Sequence, residues 1–307
     1  MTTWLVGAGI VGRRVERLLG SVVVHDVRRD PLPLVAPGDV VVLTHPVDHA
    51  PLARHLGLRG ASVVSVGDDL DDTRELLELG PLFADAGATV VVGAAMSNGL
   101  TGMLARYLGD QMSTVEEIHL ATHGTAGPAC ARDHHRSLSR RSSSWHDGEW
   151  VEHVGGSGRE LCWFPEPVGA MDCYRAELSA PYLLQRAYPD ASRISARRSA
   201  TRRDRFTARL PMLRPPHAEG GVGAVRVEVR GAAADGSRQC LIVGVAELVG
   251  TAAAATAAAF AIMAADGRLR TGEVTAVDES LPTSELLGVV ESFGVRLQEF
   301  TGVPQPA

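Results

Sequence analysis

The first residues with recognisable chemistry are the glycine-rich segment G-A-G-I-V-G at positions 7–12, which follows a short apolar run. In this spacing Gly7 permits a tight turn and Gly9 lets a ligand approach the backbone. Gly12 lets the following helix pack closely against the preceding strand. Glycines are common, so the motif gains its weight from this context, a strand before it and an amphipathic helix after it. The segment predicts a turn that binds a pyrophosphate.

Four further positions complete the predicted phosphate and ribose site. The helix opens with Ile10 and Val11, whose free amide groups favour a bound phosphate. Asp26 ends the next valine-rich run, close to the roughly 20-residue offset at which a carboxylate accepts hydrogen bonds from the adenosine ribose. That carboxylate favours NAD, whereas Arg28 and the arginine after it would pair with the 2′-phosphate of NADP. The sequence therefore predicts a nicotinamide dinucleotide and leaves its form open.

The elements that must position this turn are valine-rich runs that alternate with amphipathic segments over the first hundred residues. Such runs indicate strands buried on both faces, as in a parallel sheet covered by helices. We predict an α/β chain with a doubly wound Rossmann domain over residues 1–112. Residues 113–307 are predicted to form an α+β substrate and dimerisation domain with a mixed, largely antiparallel sheet. Whether residues 251–307 pack back on the Rossmann domain is left open.

Ligands of open α/β sheets bind beyond the carboxyl ends of the strands, which directs attention to the residues that follow the third and fourth runs. Thr44 and His45 follow the third run and are predicted to border the cofactor. The ordinary pKa range of histidine suits His45 to proton transfer, although a histidine that only packs against the cofactor is an alternative. Asp68 and Asp69 follow the fourth run, where helix capping is the alternative to catalysis.

Two groups of candidate residues lie in the predicted second domain. In the stretch Arg132-Asp133-His134-His135-Arg136, Arg132 is a candidate for binding a substrate carboxylate, and His134 and His135 are candidate acids or bases. A solvated loop is the alternative. The histidines lack the spacing of a metal site, and no metal is predicted.

The other group is Asp172, Tyr174 and Arg175, which could supply a proton donor and a second carboxylate clamp. Strand alternation would place neighbouring members on opposite faces of a sheet. The arginine-rich stretch 193–205 is interpreted as an exposed edge strand, with an acid-binding patch as the alternative.

The amino-acid composition excludes several kinds of catalytic group and argues against one class of ligand. The 30 basic residues are all arginine, so no lysine base, Schiff base or phosphate-loop lysine exists in this sequence. A net charge of -6 argues against nucleic-acid binding. Four cysteines without a C-x-x-C pair, no signal-like start and no long apolar span predict a soluble cytoplasmic protein. A homodimer is expected by analogy of fold.

Several segments resemble the saccharopine dehydrogenase-like family of NAD(P)-dependent oxidoreductases. The stretch V-V-V-L-T-H-P at 40–46 is similar to a third strand and its exit loop, and M-S-N-G-L-T at 96–101 to a helix entry. The stretches F-P-E-P at 164–167 and D-C-Y-R at 172–175 and the alanine-rich segment 251–258 follow in matching order.

The resemblance implies a Rossmann domain, a second α+β domain, and an active site in the cleft between them. It also implies hydride transfer to or from a small, carboxylate-bearing amino or imino acid. Two alternatives stay open at this point. One is an NAD(P)-dependent reductase of a carbonyl or C=C substrate, and the other is a dinucleotide-binding sensor or assembly protein without turnover.

Overall fold

The computed structural model describes residues 1–26, 33–212 and 215–300, so the predicted cofactor residue Arg28 lies outside the described residues. The strands within these ranges are β1 (Thr3–Val6), β2 (Val23–His25), β3 (Val40–Leu43), β4 (Ser62–Ser65), β5 (Thr89–Val92), β6 (Thr114–His123), β7 (Ser142–His146), β8 (Glu149–His153), β9 (Glu160–Trp163), β10 (Ala170–Arg175), β11 (Arg193–Ser199), β12 (Val222–Ala232), β13 (Arg238–Leu248), β14 (Gly272–Thr275) and β15 (Gln298–Glu299).

In the part of the chain that the structure describes, one π-helical turn, Met96–Leu100, directly precedes the fifth α-helix. The α-helices are α1 (Ile10–Leu19), α2 (Ala50–Gly57), α3 (Leu70–Glu78), α4 (Gly80–Asp85), α5 (Thr101–Gly109), α6 (Pro128–Ser137), α7 (Ala180–Ala187), α8 (Arg202–Thr207), α9 (Val249–Ala265) and α10 (Thr283–Ser292). Within the described ranges, no helix is long and apolar enough to cross a membrane.

The first sheet has six parallel strands in the order β2-β1-β3-β4-β5-β14. Every residue of β3 and β5 is buried, which explains why these strands appear in the sequence as unbroken valine-rich runs. The strand order reverses between β1 and β3. In doubly wound sheets this switch point opens a crevice at the carboxyl ends of the strands. The predicted α/β class with a Rossmann sheet is confirmed.

The second sheet runs β15-β13-β12-β6-β11-β10-β9, with the β7–β8 hairpin attached to β11. Strands β6 and β11 are parallel, and the other neighbouring pairs among the described strands are antiparallel. The prediction of a mixed, largely antiparallel sheet is therefore confirmed. Because β6 and β11 run the same way, their carboxyl ends lie side by side.

Helix α9 packs between the two sheets and contacts α1, β3, β12 and β13. It is buried around almost its whole circumference, and its run of alanines allows this close packing on every side. One apolar cluster includes Val42 of the first sheet and Leu120 of the second. Strand β14 also completes the first sheet from the end of the chain. The domain boundary at residue 112 stays a prediction about folding units.

The histidine- and arginine-rich segment near 128–137, for which a solvated loop is one of the predictions, is a helix, α6. Pro128 occupies the first helical turn, where its missing N–H is not needed. Basic residues fill the last turn, where the helix dipole favours positive charge. Strand β10 runs from Ala170 to Arg175 and so carries the candidate residues Asp172, Tyr174 and Arg175.

The shared core gives a prediction about stability. Phe260 in α9 is fully buried, so Phe260→Ala should lower the free energy of unfolding by about 3–5 kcal/mol. Phe206 is 72% exposed, and Phe206→Ala serves as the matched control, with an expected change within about 0.5 kcal/mol. Urea denaturation of both variants measures the difference. Equal losses would contradict the placement of α9 between the sheets.

Candidate active site

The glycine turn after β1 is held by direct backbone contact with the end of β3. Gly7 has a φ of +107°, and a Cβ atom there would lie 2.7 Å from the backbone nitrogen of His45. A Cβ on Gly12 would lie 2.0 Å from the carbonyl oxygen of Gly7. Thr44 donates a hydrogen bond from Oγ1 to that same carbonyl at 2.8 Å. These contacts fix the start of α1 at the carboxyl edge of the first sheet.

Gly9 differs from its two neighbours because a Cβ atom there would meet no other atom within 4 Å. It is the N-cap of α1, and no side chain caps the helix or places an acid in its first turn. Among the residues that the structure describes, the amides of Ile10, Val11 and Gly12 therefore have no side-chain acceptor. Asp26 directly follows β2, whose His25 accepts a long hydrogen bond of 3.4 Å from the Gly7 amide. The arrangement fits a diphosphate at the helix start and a ribose near Asp26.

His45 lies at the base of this turn and is 8% exposed. Neither of its ring nitrogens makes a hydrogen bond of acceptable geometry with the residues the structure describes. Its ring packs edge-on against His49, with centroids 4.4 Å apart. Burial, together with the neighbouring His49, lowers the pKa of His45 to about 4. The ring is therefore neutral at physiological pH.

His49 holds the loop that carries His45. Its Nε2 lies 3.0 Å from the carbonyl oxygen of His45, so Nε2 carries the proton and donates it. Its Nδ1 then accepts a hydrogen bond of 2.7 Å from Ser65. The backbone amides of His49 and Ala50 donate to one carboxylate oxygen of Asp72, at 2.7 and 2.8 Å. Burial lowers the pKa of His49 to about 4, which keeps this bonding pattern intact near neutrality.

The carboxyl ends of β6 and β11 face the carboxyl edge of the first sheet, and Asp68 joins the two. Asp68 follows β4 and accepts a hydrogen bond of 2.9 Å from Ser97. Its Oδ2 also lies 3.5 Å from the guanidinium of Arg198 on β11. Arg198 is 8% exposed and donates a further hydrogen bond to Ser137. Arg198 thus links the end of β11 in the second sheet to Asp68, which follows β4 of the first sheet.

His134 of α6 contributes an acceptor to the same region. Its Nε2 lies 2.9 Å from the carbonyl oxygen of Ser199 and must donate to it. Its Nδ1 is then an unprotonated acceptor, and this buried atom has no partner among the described residues. Burial and the nearby Arg198 lower the pKa of His134 to about 3. His123 approaches from β6 and shares a hydrogen bond of 2.7 Å with the hydroxyl of Ser199.

The other predicted site residues take different places. Arg132 is exposed, and His135 donates from Nε2 to the carbonyl oxygen of Leu210. Asp172 forms an ion pair with Arg159, with Nε and Oδ1 2.9 Å apart.

Tyr174 and Arg175 follow on the same strand. Tyr174 is buried in a small apolar cluster with Leu138 and Ala176. The guanidinium of Arg175 lies against Gly158. Of the candidate catalytic residues, His45 therefore lies at the carboxyl edge of the first sheet and His134 at that of the second. The described contacts do not connect His135, Asp172 or Tyr174 to either of them.

The sequence did not single out Arg198 or Ser97 as site residues. Arg198 belongs to the arginine-rich stretch predicted to be an exposed edge strand, with an acid-binding patch as the alternative; the edge-strand prediction is wrong, because β11 lies inside the sheet between β6 and β10. Alternation along β11 turns it, with the buried Ala196, to the face opposite Arg197. That alternation was the available signal, although nothing in the sequence says which face meets Asp68.

No family model matches this sequence, and no curated protein matches it significantly. Solved structures do match. Apo saccharopine dehydrogenase (L-Glu forming) from Saccharomyces cerevisiae aligns with 97% of this chain and 99% of its own, at 12% identity and a TM-score of 0.66. Homospermidine synthase from Legionella pneumophila, in complex with NAD, aligns over 97% and 91%, at 10% identity and a TM-score of 0.69.

A third match is DAP dehydrogenase from C. glutamicum in complex with DAP. It covers 94% of this chain and 98% of its own, at 15% identity and a TM-score of 0.50. The chain therefore has a fold similar to that of these proteins, with a Rossmann sheet and a second, mixed sheet. At such low identities the likeness shows the fold and not the reaction.

The depressed pKa of His134 gives a prediction about stability and pH. Its folded pKa lies below the unfolded value, so its contribution to stability is present above about pH 6.5 and is lost as the pH falls toward 3. Wild-type stability should fall more steeply between pH 6.5 and 4.5 than that of His134→Gln. The slopes should differ by up to about 1.4 kcal/mol per pH unit. Urea denaturation across this range provides the comparison, and parallel curves would exclude a neutral, buried His134.

Proposed function

We propose that this chain is an NAD(P)-dependent oxidoreductase that transfers a hydride to or from a small amino or imino acid. The observation that carries the proposal is the open backbone at Gly9, beside a helix start without a side-chain cap. It lies at the switch point of a Rossmann sheet. Homospermidine synthase, which has a similar fold, was crystallised with NAD. The fold and the local geometry thus support the same ligand.

The residues that would hold the dinucleotide are the amides at the start of α1, the open Gly9 backbone, Thr44 and Asp26. The amides would donate to the diphosphate, and Asp26 would accept from the ribose hydroxyls. Gly7 and Gly12 would keep the turn closed beneath them. When bound, the nicotinamide ring supplies the chemistry by accepting or giving the hydride.

Arg198 is our candidate for binding the substrate carboxylate. It is a nearly buried guanidinium in the cleft, and a planar cation of this kind pairs well with a carboxylate. Asp68 lies 3.5 Å from it and would accept a hydrogen bond from a substrate amino group. An amino acid carries both complementary groups, which is why we favour it over a simple carbonyl or alkene substrate.

His134 and His45 are the candidates for handling the proton. Both are neutral, because burial lowers their pKa values to about 3 and about 4. The Nδ1 atom of His134 would accept a hydrogen bond from the reacting N–H and orient it beside Arg198. His45 would accept such a hydrogen bond from its position beside the glycine turn that would hold the cofactor. Roles for His135, Asp172, Tyr174 and Arg132 stay predictions, as do a homodimer and a cytoplasmic location.

The dinucleotide site can be tested by isothermal calorimetry with NADH and NADPH. Gly9→Asp places a carboxylate where the diphosphate would lie and should weaken binding at least a hundredfold through charge repulsion. Gly9→Ala is the matched control, because neither variant meets another atom at Cβ and both should keep the wild-type stability. If Gly9→Asp binds either dinucleotide as tightly as the wild type does, the proposed site is wrong.

The substrate site can be tested by following NAD⁺ and NADP⁺ reduction with a panel of D- and L-amino acids. Arg198→Gln should raise KM for the best substrate by about 10- to 150-fold, the equivalent of losing a charged hydrogen bond of about 1.5–3 kcal/mol. Dinucleotide affinity should not change. Arg202→Gln, at an exposed position in α8, is the control. Tight dinucleotide binding without turnover of any panel member would favour the sensor instead.

A further inference from the structure

The second sheet has an outer face that lies opposite the apolar core. Along β6, Ile118 and Leu120 enter the core, so Glu117 and His119 point to this outer face. The corresponding residues of β11 are Arg193, Ser195 and Arg197, because the two strands are paired in this register. The outer face is therefore rich in charged side chains and lies on the other side of the sheet from Arg198.

Two arginines are opposed directly across neighbouring strands of this face. Arg175 of β10 pairs with Arg197 of β11 in the antiparallel register. Like charges at directly opposed positions destabilise a sheet unless another group offsets them. Arg193 is on the same face but four residues before Arg197, about 13 Å away along the strand, where it lies opposite Glu117. Positive charge is thus concentrated where β10 and β11 pair.

These guanidinium groups have few acceptors. Among the described residues, Arg175 forms no side-chain hydrogen bond or ion pair, and its guanidinium packs 3.1 Å from the Cβ position of Gly158. Arg197 is paired with Glu160 at 2.6 Å and donates to the carbonyl oxygen of Gly158. Glu117, the next carboxylate along the face, is already bonded to His119 and Arg230. Arg193 lies directly opposite Glu117 in the β6–β11 register, so a carboxylate offsets its charge there, whereas Arg175 and Arg197 share the carboxylate of Glu160.

His153 on β8 is close enough to Arg175 and Arg197 for their charges to affect its pKa. It shares a hydrogen bond of 2.9 Å with the hydroxyl of Ser144 on β7. Burial, and then the charges of Arg175 and Arg197, lower its pKa. The pKa of Arg175 is also lowered, by burial and by Arg197 and Arg193. Glu160 does not offset these positive charges completely.

We propose that Arg175 and Arg197 form a second binding site, on the outer face of the second sheet, for an oxyanion such as a phosphate group. Two guanidinium groups and one carboxylate leave one positive charge, and the guanidinium of Arg175 has no hydrogen-bonding partner of its own among the described residues, so this position would attract an oxyanion. Arginine is suited to this ligand because its planar fork donates two parallel hydrogen bonds to oxyanion oxygens. The site is separate from the cleft, since Arg197 and Arg198 point to opposite faces.

The test is an NMR titration of the whole protein with inorganic phosphate at constant ionic strength, observed at the His153 imidazole. Bound phosphate should raise the pKa of His153 because it offsets the neighbouring positive charge. Arg175→Gln should weaken phosphate binding about tenfold or more, and should itself raise the pKa of His153 in the free protein. Arg141→Gln is the control, because Arg141 is highly exposed and is paired with Glu152 on the same hairpin.

Two further measurements separate the alternatives. Phosphate could bind at the start of α1, so the titration is repeated with Gly9→Asp, which should keep the full response of His153. Failure of the dinucleotide site therefore leaves this result unaffected.

Light scattering gives the oligomeric state of the wild type and of Arg175→Gln, which should be the same. A His153 response absent in the wild type or unchanged in Arg175→Gln would overturn the proposal. So would a change of mass, which would make this face an interface between copies.

Discussion

The close backbone contact between Gly7, Gly12 and Thr44 is the constraint on which the proposed chemistry depends. It leaves no room for a side chain at either glycine, and it holds the first turn of α1 against the ends of β1 and β3. The helix dipole therefore points its positive end at the switch point of the sheet. Gly9, which lies between the two constrained glycines, is left with open space instead of a packed neighbour.

The second constraint is the direction of β6 and β11. A purely antiparallel sheet would send neighbouring strand ends to opposite edges, whereas this parallel pair presents two carboxyl ends at the same edge. Arg198 and Ser199 end β11 there, and α6 brings His134 against them. The Asp68 carboxylate meets Arg198 across the cleft. Two sheets of different construction thus place complementary polar groups opposite each other.

The fold and the glycine turn could be predicted from sequence because both depend on local patterns. Unbroken valine runs indicate buried parallel strands, and the positions of Gly7, Gly9 and Gly12 follow from the geometry of a single turn. Helix α6 was missed because its composition is strongly polar and it has no large apolar residue to mark a buried face. Tertiary contacts stabilise it, and sequence periodicity does not record those contacts.

The residues of the cleft were harder to predict for the same reason. The pairing of Arg198 with Asp68 joins residues far apart in the chain, and although strand alternation separates Arg198 from Arg197, nothing local shows which face of β11 meets Asp68. Tyr174 shows the opposite case. Its residue type suggested a proton donor, whereas the packing encloses it among Leu138, Ala176 and Ala208. Residue type proposes a chemistry, and three-dimensional contact decides whether it has access to a ligand.

The central claim is that a dinucleotide diphosphate binds to the free amides at the start of α1. The most direct measurement is a ¹H–¹⁵N correlation spectrum of the labelled protein titrated with NADH. The account predicts that the amide resonances of Ile10, Val11 and Gly12 shift with saturation and give a single dissociation constant. A spectrum in which NADH binds while these three resonances stay in place, or in which NADH does not bind, would contradict it.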